Sequence, residues 1–247
     1  MSALSMRLEE AYRGGRMLDG LEPDVAPADL AAAYAAQAEL AARLGPVGGW
    51  KSGAKGLTGP MAGSALPASG FAASPARIPA QGLNRRGVEV EVAFRFGRDL
   101  PARERPYSRD ELIAAFDAVM PALEVVDSRF ANYPDIPTAW QVADFQNHAR
   151  LVLGEARPDP AGFNLDDVFA TLTVDGEVRV EQANGNPAVD ALRPVLWLVN
   201  EGPGRTLGIQ AGQVVTTGTL TGLIFVPPGS RVEGEVRHLG RVEAVFD

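Results

Sequence analysis

The spacing of apolar residues changes along the chain from a helical period to a strand period. Apolar positions recur at helical spacing in 3–15 and 27–44, so both segments are predicted to be helices. Gln37 is the one polar residue on the apolar face of the second helix. From 87 to 96 apolar and polar residues alternate strictly, which predicts a strand with one buried face.

Segments with few large side chains interrupt these patterns. Residues 48–72 are rich in glycine, alanine, serine and proline, which predicts a loop with room for a short strand around Trp50. Residues 109–119 are predicted to form a helix. Ser108 and Glu111 have the spacing of a capping box at the start of that helix.

The remaining patterns predict mainly short strands. Residues 121–127 are predicted to form an apolar strand, and 166–181 a hairpin that turns at Asp175-Gly176. Residues 187–200 are predicted to form a helix, and the chain from 213 onward a series of short strands.

These elements together predict an α+β fold. Residues 138–150 fit either a helix or a strand, so that segment stays open. We expect a single domain over 1–247, in which an N-terminal helical region, to about residue 72, caps a β-rich body.

Composition narrows the possible chemistry. The net charge of −8 argues against a nucleic-acid binder, which needs a basic surface. The absence of cysteine excludes disulfides, cysteine-ligated metals and a cysteine nucleophile. With only His148 and His238, any metal must be held mainly by oxygen atoms, which favours Mg²⁺ or Mn²⁺. No apolar run suits a membrane span or a signal peptide, so a cytoplasmic location is expected.

Three glutamates are the strongest candidates for such a site. Glu89 and Glu91 lie on one face of the predicted strand, either as a solvated edge or as a pair of ligands. Glu124 interrupts an apolar run, and a buried carboxylate needs a charged partner or a metal. A salt bridge of Glu124 with Arg129 or Arg95 is the structural alternative to a catalytic cation.

Several motifs occur in the order found in one known family. They are Gly49-Trp-Lys-Ser-Gly, Arg86-Gly-Val-Glu-Val-Glu-Val, Met120-Pro-Ala-Leu-Glu-Val-Val-Asp, Asn186-Pro-Ala-Val-Asp, Gly218-Thr-Leu-Thr-Gly, Val226-Pro-Pro-Gly-Ser and Leu239-Gly-Arg-Val. With these segments the chain resembles the 2-keto-4-pentenoate hydratases and 4-oxalocrotonate decarboxylases of the fumarylacetoacetate hydrolase superfamily. Each segment is weak evidence alone, but their ordered sum extends over almost the whole chain.

The resemblance implies a fumarylacetoacetate hydrolase-like fold, a mixed β-roll with an N-terminal helical cap. It implies that Glu89, Glu91 and Glu124 bind Mg²⁺ or Mn²⁺. The cation would chelate a small 2-oxo acid and stabilise an enolate or dienolate as it forms. Homo-oligomers are common in the family, so a homo-oligomer is expected, with no nucleic-acid or membrane partner.

The resemblance also implies roles for residues near the metal. Lys51 would transfer a proton or hold the substrate carboxylate, unless it is an exposed lysine and Lys55 is the functional one. Thr219 would contact the substrate carboxylate from a loop that is otherwise a plain turn. Asn147, in the approximate place of a family serine, and Gln141 are further candidates for substrate contact.

The chain also departs from the family pattern. The region after the lysine loop lacks the aspartate of a Pro-Asp-Phe-Gly stretch, and a family Ala-Asp-Asn-Ala-Ser stretch is replaced by Ala143-Asp-Phe-Gln-Asn-His. Residues 1–147 contain no histidine, which counts against the hydrolase branch; His148 and His238 are expected to be structural and superficial, respectively.

The expected function is a metal-dependent hydratase that acts on a 2-hydroxydienoate or 2-oxo-alkenoate. Decarboxylation of a 4-oxalocrotonate-type 2-oxo-enedioate, or tautomerisation, would use the same site. The alternative outside enzymology is an inactive subunit that only binds a ligand or a partner.

Overall fold

Two helices open the chain, as the apolar spacing predicts. The computed structural model describes residues 2–19, 21–79 and 81–247. Helix α1 (Ala3–Gly14) is capped by Ser2, whose hydroxyl accepts a hydrogen bond from the Ser5 amide at 3.2 Å. Helix α2 (Leu30–Leu44) begins at Leu30 rather than at 27, because Asp29 is its N-cap and accepts from the Ala32 amide at 2.8 Å.

Eight strands form the larger sheet. They are β1 (Val47–Ala54), β2 (Met61–Pro67), β3 (Phe71–Ala73), β5 (Gly87–Phe96), β6 (Phe116–Val126), β7 (His148–Leu153), β10 (Val214–Thr219) and β11 (Ile224–Phe225). Their order in the sheet is β2-β1-β10-β5-β6-β7-β3, and β11 pairs with one end of β5. Strand β5 lies inside this sheet and packs on both faces, so it is more buried than the one-sided strand that its alternation predicts.

Five strands form the smaller sheet, in the order β4-β13-β12-β8-β9. They are β4 (Ala76–Ile78), β8 (Phe169–Val174), β9 (Glu177–Ala183), β12 (Arg231–Val236) and β13 (Gly240–Phe246). Strands β8 and β9 are the predicted hairpin. Asp175 and Gly176 have φ values of 52° and 85°, so both turn residues are left-handed, as tight hairpin turns require.

One hydrophobic core takes residues from the N-terminal helices and from both sheets. Its fully buried members include Leu8, Leu40, Val90, Leu123 and Val232. Full burial of each such side chain contributes about 1.5–3 kcal/mol. The predicted α+β class with N-terminal helices is therefore confirmed.

The loop predicted over 48–72 is wrong for most of its length, because β1 and β2 occupy it. The strand predicted around Trp50 is confirmed and extends over Val47–Ala54. The small residues are needed for close packing: a Cβ on Gly49 would lie 2.5 Å from the Val214 carbonyl oxygen of neighbouring β10. Small side chains in this segment therefore reflect crowding rather than an irregular backbone.

Two predicted helices are shorter than expected. Helix α3 (Arg109–Ile113) has the predicted capping box, but β6 begins at Phe116 because it pairs with β5 over almost the whole length of that strand. Helix α5 (Leu192–Asn200) begins late and has Pro194 in its first turn, where no amide hydrogen bond is lost. A short helix α6 (Pro203–Leu207) follows it.

The ambiguous segment 138–150 contains both kinds of structure. Helix α4 (Thr138–Ala143) is followed by a turn over Phe145–Asn147, and β7 starts at His148. All three residues of the turn have φ between 51° and 62°. Within the described residues, no helix is long and apolar enough to cross a bilayer.

Candidate metal and substrate site

Antiparallel pairing of β5 with β6 brings the three predicted glutamates together. Glu89 lies directly opposite Glu124 in the register, and Glu91 shares the face of Glu89 because side chains two residues apart point the same way. Each of the three carboxylates has an oxygen within 4.8 Å of the others. Pairing across two strands thus brings Glu124 next to two glutamates that lie 35 and 33 residues before it in the sequence.

Burial makes this cluster electrostatically costly. Glu91 and Glu124 are only 2% and 1% exposed, and Glu89 is half-buried. Burial and the charge of Glu124 raise the pKa of Glu89 to about 7. Burial, Glu124 and Glu89 raise the pKa of Glu91 well above its ordinary value. Two of the three carboxyl groups are therefore hard to ionise without a further positive charge nearby.

Glu124 is the member with charged and polar partners. Lys51 Nζ donates to Glu124 Oε1 at 2.6 Å, and His148 Nδ1 lies 3.0 Å from the same oxygen. Burial alone would raise the pKa of Glu124, but Lys51 and His148 lower it to about 2. The second oxygen, Glu124 Oε2, is buried and has no hydrogen-bond partner.

Glu124 pairs with a lysine and with neither of the arginines predicted as its partner. The salt bridge proposed for Glu124 is formed with Lys51, whereas Arg129 pairs with Asp144 and Arg95 pairs with Asp117. Lys51 is not an exposed lysine, since its side chain is 14% exposed. Burial would lower its pKa, but the charges of Glu124 and the other two glutamates outweigh burial and raise it.

His148 is buried against the site, and His238 is exposed. Burial lowers the pKa of His148 and outweighs its contact with Glu124. A neutral ring can donate from Nδ1 to the ionised Glu124, which leaves the buried Nε2 without a partner.

Strand β10 supplies backbone and hydroxyl groups beside the carboxylates. The Gly218 amide donates to Glu91 Oε2 at 2.8 Å, and φ is 97° at Gly218, a value that suits glycine. The Thr219 hydroxyl lies beside Glu89 and lowers its pKa, although the pair does not reach hydrogen-bond geometry. Gly218 and Thr219 line the same cavity as the carboxylates.

The carboxylates and Lys51 line one end of a cavity of about 520 Å³. Its other walls are largely apolar and come from α2, β2, α4 and α5, through Leu30, Tyr34, Met61, Val142 and Trp197. The volume is ample for a small organic acid. Helix α2 is therefore part of the cavity wall as well as of the core.

The remaining sequence candidates occupy different positions. Thr219 and Lys55 line the cavity. The side chains of Gln141 and Asn147 hydrogen-bond to each other at 3.0 Å, and Gln141 also donates to the Ile136 carbonyl. In the described part of the chain, neither lines the cavity, whereas Gln146 does.

Sequence reasoning missed Gln146, Tyr34 and Trp197. Gln37, the polar exception on the apolar face of α2, was a usable signal for a nearby polar residue, because a buried amide must be hydrogen-bonded. Its partner is Ser64, which in turn contacts Gln146.

The donor set fits a hard divalent cation. All three candidate ligands are carboxylates, one buried carboxylate oxygen has no partner, and Lys51 is the only lysine or arginine among the described residues that forms an ion pair with any of them. Three ionised carboxylates would exceed the charge of one ammonium group. A divalent cation would neutralise that excess and occupy the free oxygen.

Comparison with known proteins agrees with this geometry. Residues 30–247 match the model of the fumarylacetoacetate hydrolase C-terminal family. The chain is 30% identical over 259 residues to 2-keto-4-pentenoate hydratase of Burkholderia vietnamiensis, and the match covers 100% of this chain and 97% of that one. It is 32% identical to the same-named protein of Paraburkholderia xenovorans over 69% of this chain, and spans 62% of that relative's length.

Solved structures show the same fold. The 4-oxalocrotonate decarboxylase of Pseudomonas putida G7, complexed with magnesium and adipate, superposes with a TM-score of 0.85 at 24% identity. The match covers 99% of this chain and 96% of that one. The fumarylpyruvate hydrolase of Pseudomonas aeruginosa, in complex with Mn²⁺ and pyruvate, gives a TM-score of 0.59 at 16% identity over 80% of this chain and 88% of that one. This chain therefore belongs to the fumarylacetoacetate hydrolase family and is related within it to the 2-keto-4-pentenoate hydratases.

Proposed function

We propose that this protein is a divalent-metal-dependent hydratase that adds water to a 2-hydroxydienoate or 2-oxo-alkenoate. The observation that carries the proposal is the cluster of Glu89, Glu91 and Glu124, which meets Lys51 at one end of a largely apolar cavity. That arrangement suits a small acid with a polar chelating end and an apolar tail. The relation to proteins named 2-keto-4-pentenoate hydratase supports the same substrate class.

Mg²⁺ or Mn²⁺ is the proposed cofactor, with Glu89, Glu91 and Glu124 as its protein ligands. When bound, the cation supplies Lewis-acid stabilisation of negative charge on substrate oxygens. His148 holds one oxygen of Glu124 and leaves the other free for the cation. The Gly218 amide fixes the carboxylate of Glu91 in the same way.

Lys51 is the proposed catalytic residue. Lys51 lines the cavity and contacts Glu124, so its ammonium group is placed to donate a proton to the substrate carbon chain or to bind the substrate carboxylate. Thr219 is proposed to contact the substrate from the neighbouring strand β10. Substrate contact by Gln141 or Asn147 stays a prediction, because their side chains bond to each other.

Two wider proposals go with this function. We propose that 1–247 acts as one domain, which the shared core of helices and sheets supports. We also propose a homo-oligomer, supported by exposed apolar side chains such as Leu223 and Phe225, which are 36% and 44% exposed. Light scattering after size-exclusion chromatography measures the oligomeric state directly.

Thermal unfolding with Mg²⁺ or Mn²⁺, with and without oxalate, tests the site. Oxalate has the chelating end of a 2-oxo acid, so the stabilisation by metal should grow when oxalate is added. A ligand at 100 times its Kd adds about 2.7 kcal/mol of stability. No shift with either metal, alone or with oxalate, would contradict the proposed site.

Product analysis then tests the reaction. With 2-hydroxypenta-2,4-dienoate and Mg²⁺ or Mn²⁺, we expect loss of the conjugated dienoate and formation of a 4-hydroxy-2-oxo acid with the same number of carbon atoms. Release of CO₂ from a 2-oxo-enedioate, without hydration of the dienoate, would instead indicate a decarboxylase.

A further inference from the structure

Gln146 lines the cavity and takes part in a chain of buried hydrogen bonds that starts in helix α2. The first member is Gln37, which is 1% exposed. Its Oε1 accepts from the Ala65 amide at 3.3 Å, and its Nε2 donates to the Val142 carbonyl at 2.6 Å. A backbone amide can only donate and a carbonyl can only accept, so these two contacts determine the orientation of the Gln37 side chain.

That orientation determines the next two members. Gln37 Nε2 also donates to Ser64 Oγ at 3.0 Å. Ser64 therefore accepts from Gln37 and has one proton left, which it donates to Gln146 Oε1 at 3.2 Å. The oxygen of the Gln146 amide is thus occupied. Its Nε2 is the free group, since none of the described residues accepts a hydrogen bond from that nitrogen.

The backbone at Gln146 is held in an unusual conformation. Phe145, Gln146 and Asn147 have φ values of 51°, 53° and 62°, a left-handed run that is rare without glycine. Such strain persists only where the surroundings enforce it, and it often occurs at functional sites. Here Phe145 is fully buried against Tyr12, and Asn147 is bonded to Gln141.

The turn also joins Gln146 to the proposed catalytic lysine. The backbone carbonyl of Gln146 accepts a hydrogen bond from Lys51 Nζ at 3.3 Å, and both residues line the cavity. Both present N–H donors, whereas the three glutamates present only acceptors when ionised. An anionic oxygen of a ligand is the group that two such donors would hold best.

We propose that Gln146 binds the carboxylate of the 2-oxo acid substrate, and that Gln37 and Ser64 are positioning residues that turn its amide N–H₂ into the cavity. The proposal rests on the proposed function, because it takes a 2-oxo acid as the ligand. It adds a substrate-binding residue to that site and gives a role to the polar exception in α2.

Calorimetric titration of oxalate and of pyruvate into the Mn²⁺-loaded protein tests the proposal. Gln146→Met keeps the length of the side chain but removes the donor, so both ligands should bind about 10- to 100-fold more weakly, the effect of one hydrogen bond to a charged group. Gln146→Glu places a negative charge there and should weaken binding further. The Kd for Mn²⁺ itself should stay within about twofold of wild type in Gln146→Met, because the amide is not a proposed metal ligand.

Matched variants separate positioning from general damage. Gln182→Met makes the same change on exposed strand β9 and should leave oxalate binding unchanged. Ser64→Ala should weaken oxalate binding about three- to tenfold in wild type but have no further effect in Gln146→Met, because its role acts through that amide. A purely structural role for Ser64 would weaken binding equally in both backgrounds. Gln146→Gly, which suits the left-handed φ, is the second variant if Gln146→Met does not fold.

The outcomes distinguish this inference from the proposed function. Wild-type binding of oxalate and pyruvate in the presence of Mn²⁺, with unchanged affinity in Gln146→Met or Gln146→Gly, would overturn the role of Gln146 and leave the proposed function standing. Failure of the wild-type protein to bind either ligand would overturn both. Selective loss of oxo-acid affinity, with Mn²⁺ affinity retained, supports the proposal.

Discussion

Two strands of this protein carry a Glu-x-Glu pattern, Glu89 and Glu91 in β5 and Glu233 and Glu235 in β12. The β12 pair has side chains 28% and 43% exposed, and each contacts Arg241, at 3.7 and 3.0 Å. The β5 pair faces Glu124 and a cavity instead. The same local pattern is thus a solvated ion-pair surface in one sheet and a candidate metal site in the other.

The difference arises from the burial and the charged partners of the two pairs. Strand β13 places Arg241 opposite Glu235 and Glu243 opposite Glu233, and the exposed side chains of Arg241 and Arg231 form ion pairs with these carboxylates. Strand β6 places a third carboxylate opposite Glu89, where burial makes unmatched charge costly. Of these two Glu-x-Glu pairs, the β5 pair is therefore the one that we propose to bind a cation from solution.

The largest effect is expected from removing two carboxylates of the β5 cluster. Glu89→Gln with Glu124→Gln should weaken Mn²⁺ binding by more than about 100-fold, because losing ligands costs at least as much as losing the residues that orient them. Stabilisation by Mg²⁺ or Mn²⁺ in thermal unfolding should disappear. Glu233→Gln with Glu235→Gln is the matched control and should keep both. Equal metal affinity in the two double variants would remove the proposed distinction.

The second largest effect is expected from replacing Lys51, the ammonium partner of Glu124 in the β5 cluster. Lys51→Met removes the proposed proton donor, so turnover of the dienoate should fall by about 10²–10⁴-fold. Steady-state kinetics at saturating Mg²⁺ measures this loss. Retention of most of the wild-type turnover would exclude Lys51 from catalysis, and Lys55→Met is the control for the neighbouring lysine.

The pH dependence of stability gives a third test. The pKa of Glu89 is raised from 4.5 to about 7, so its protonated form is favoured in the folded chain. Its stabilising contribution is complete below about pH 4.5 and is lost as the pH rises through about 7, a change on the order of 3 kcal/mol. Denaturant unfolding of the metal-free protein should show this loss, and Glu89→Gln should flatten it. Identical profiles for both proteins would show that Glu89 does not titrate in this range.

The smallest effect is expected on the β12 surface. Arg241→Gln removes the partner of Glu233 and Glu235, but exposed ion pairs contribute only about 0–1 kcal/mol. The free energy of unfolding should change by no more than that, and added salt should reduce the difference. A loss of several kcal/mol would mean that the two Glu-x-Glu strands differ less than their exposure indicates.

Sequence patterns predicted well wherever one face of an element is apolar and continuous. Helices α1 and α2, strand β5 and the β8–β9 hairpin were found in this way. The sequence patterns were misleading where pairing between strands that are distant in sequence overrides the local preference of a segment. The last residues of the predicted helix 109–119 belong instead to strand β6, which pairs with β5. The close approach of β10 to β1 explains the glycine at position 49.

Among the site residues, Glu124 was identified because it interrupts an apolar run. Glu89, Glu91 and Lys51 were identified because they lie in segments that match the family. Gln146 was overlooked in favour of Asn147 and Gln141. A left-handed run of three residues without glycine has no local signature that spacing rules detect, so the residue that faces the cavity could not be chosen from the sequence.

The amino-acid composition and the ordered motifs restrict the chemistry available to this protein. A chain without cysteine and with two histidines can hold a metal mainly through oxygen, and the ordered motifs indicated the family. The clustering of the three carboxylates, the pairing of Glu124 with Lys51 and the position of Gln146 at the cavity become visible only in the folded chain. The physical reason is that these properties depend on cross-strand register and burial, and both are set by contacts between residues far apart in the chain.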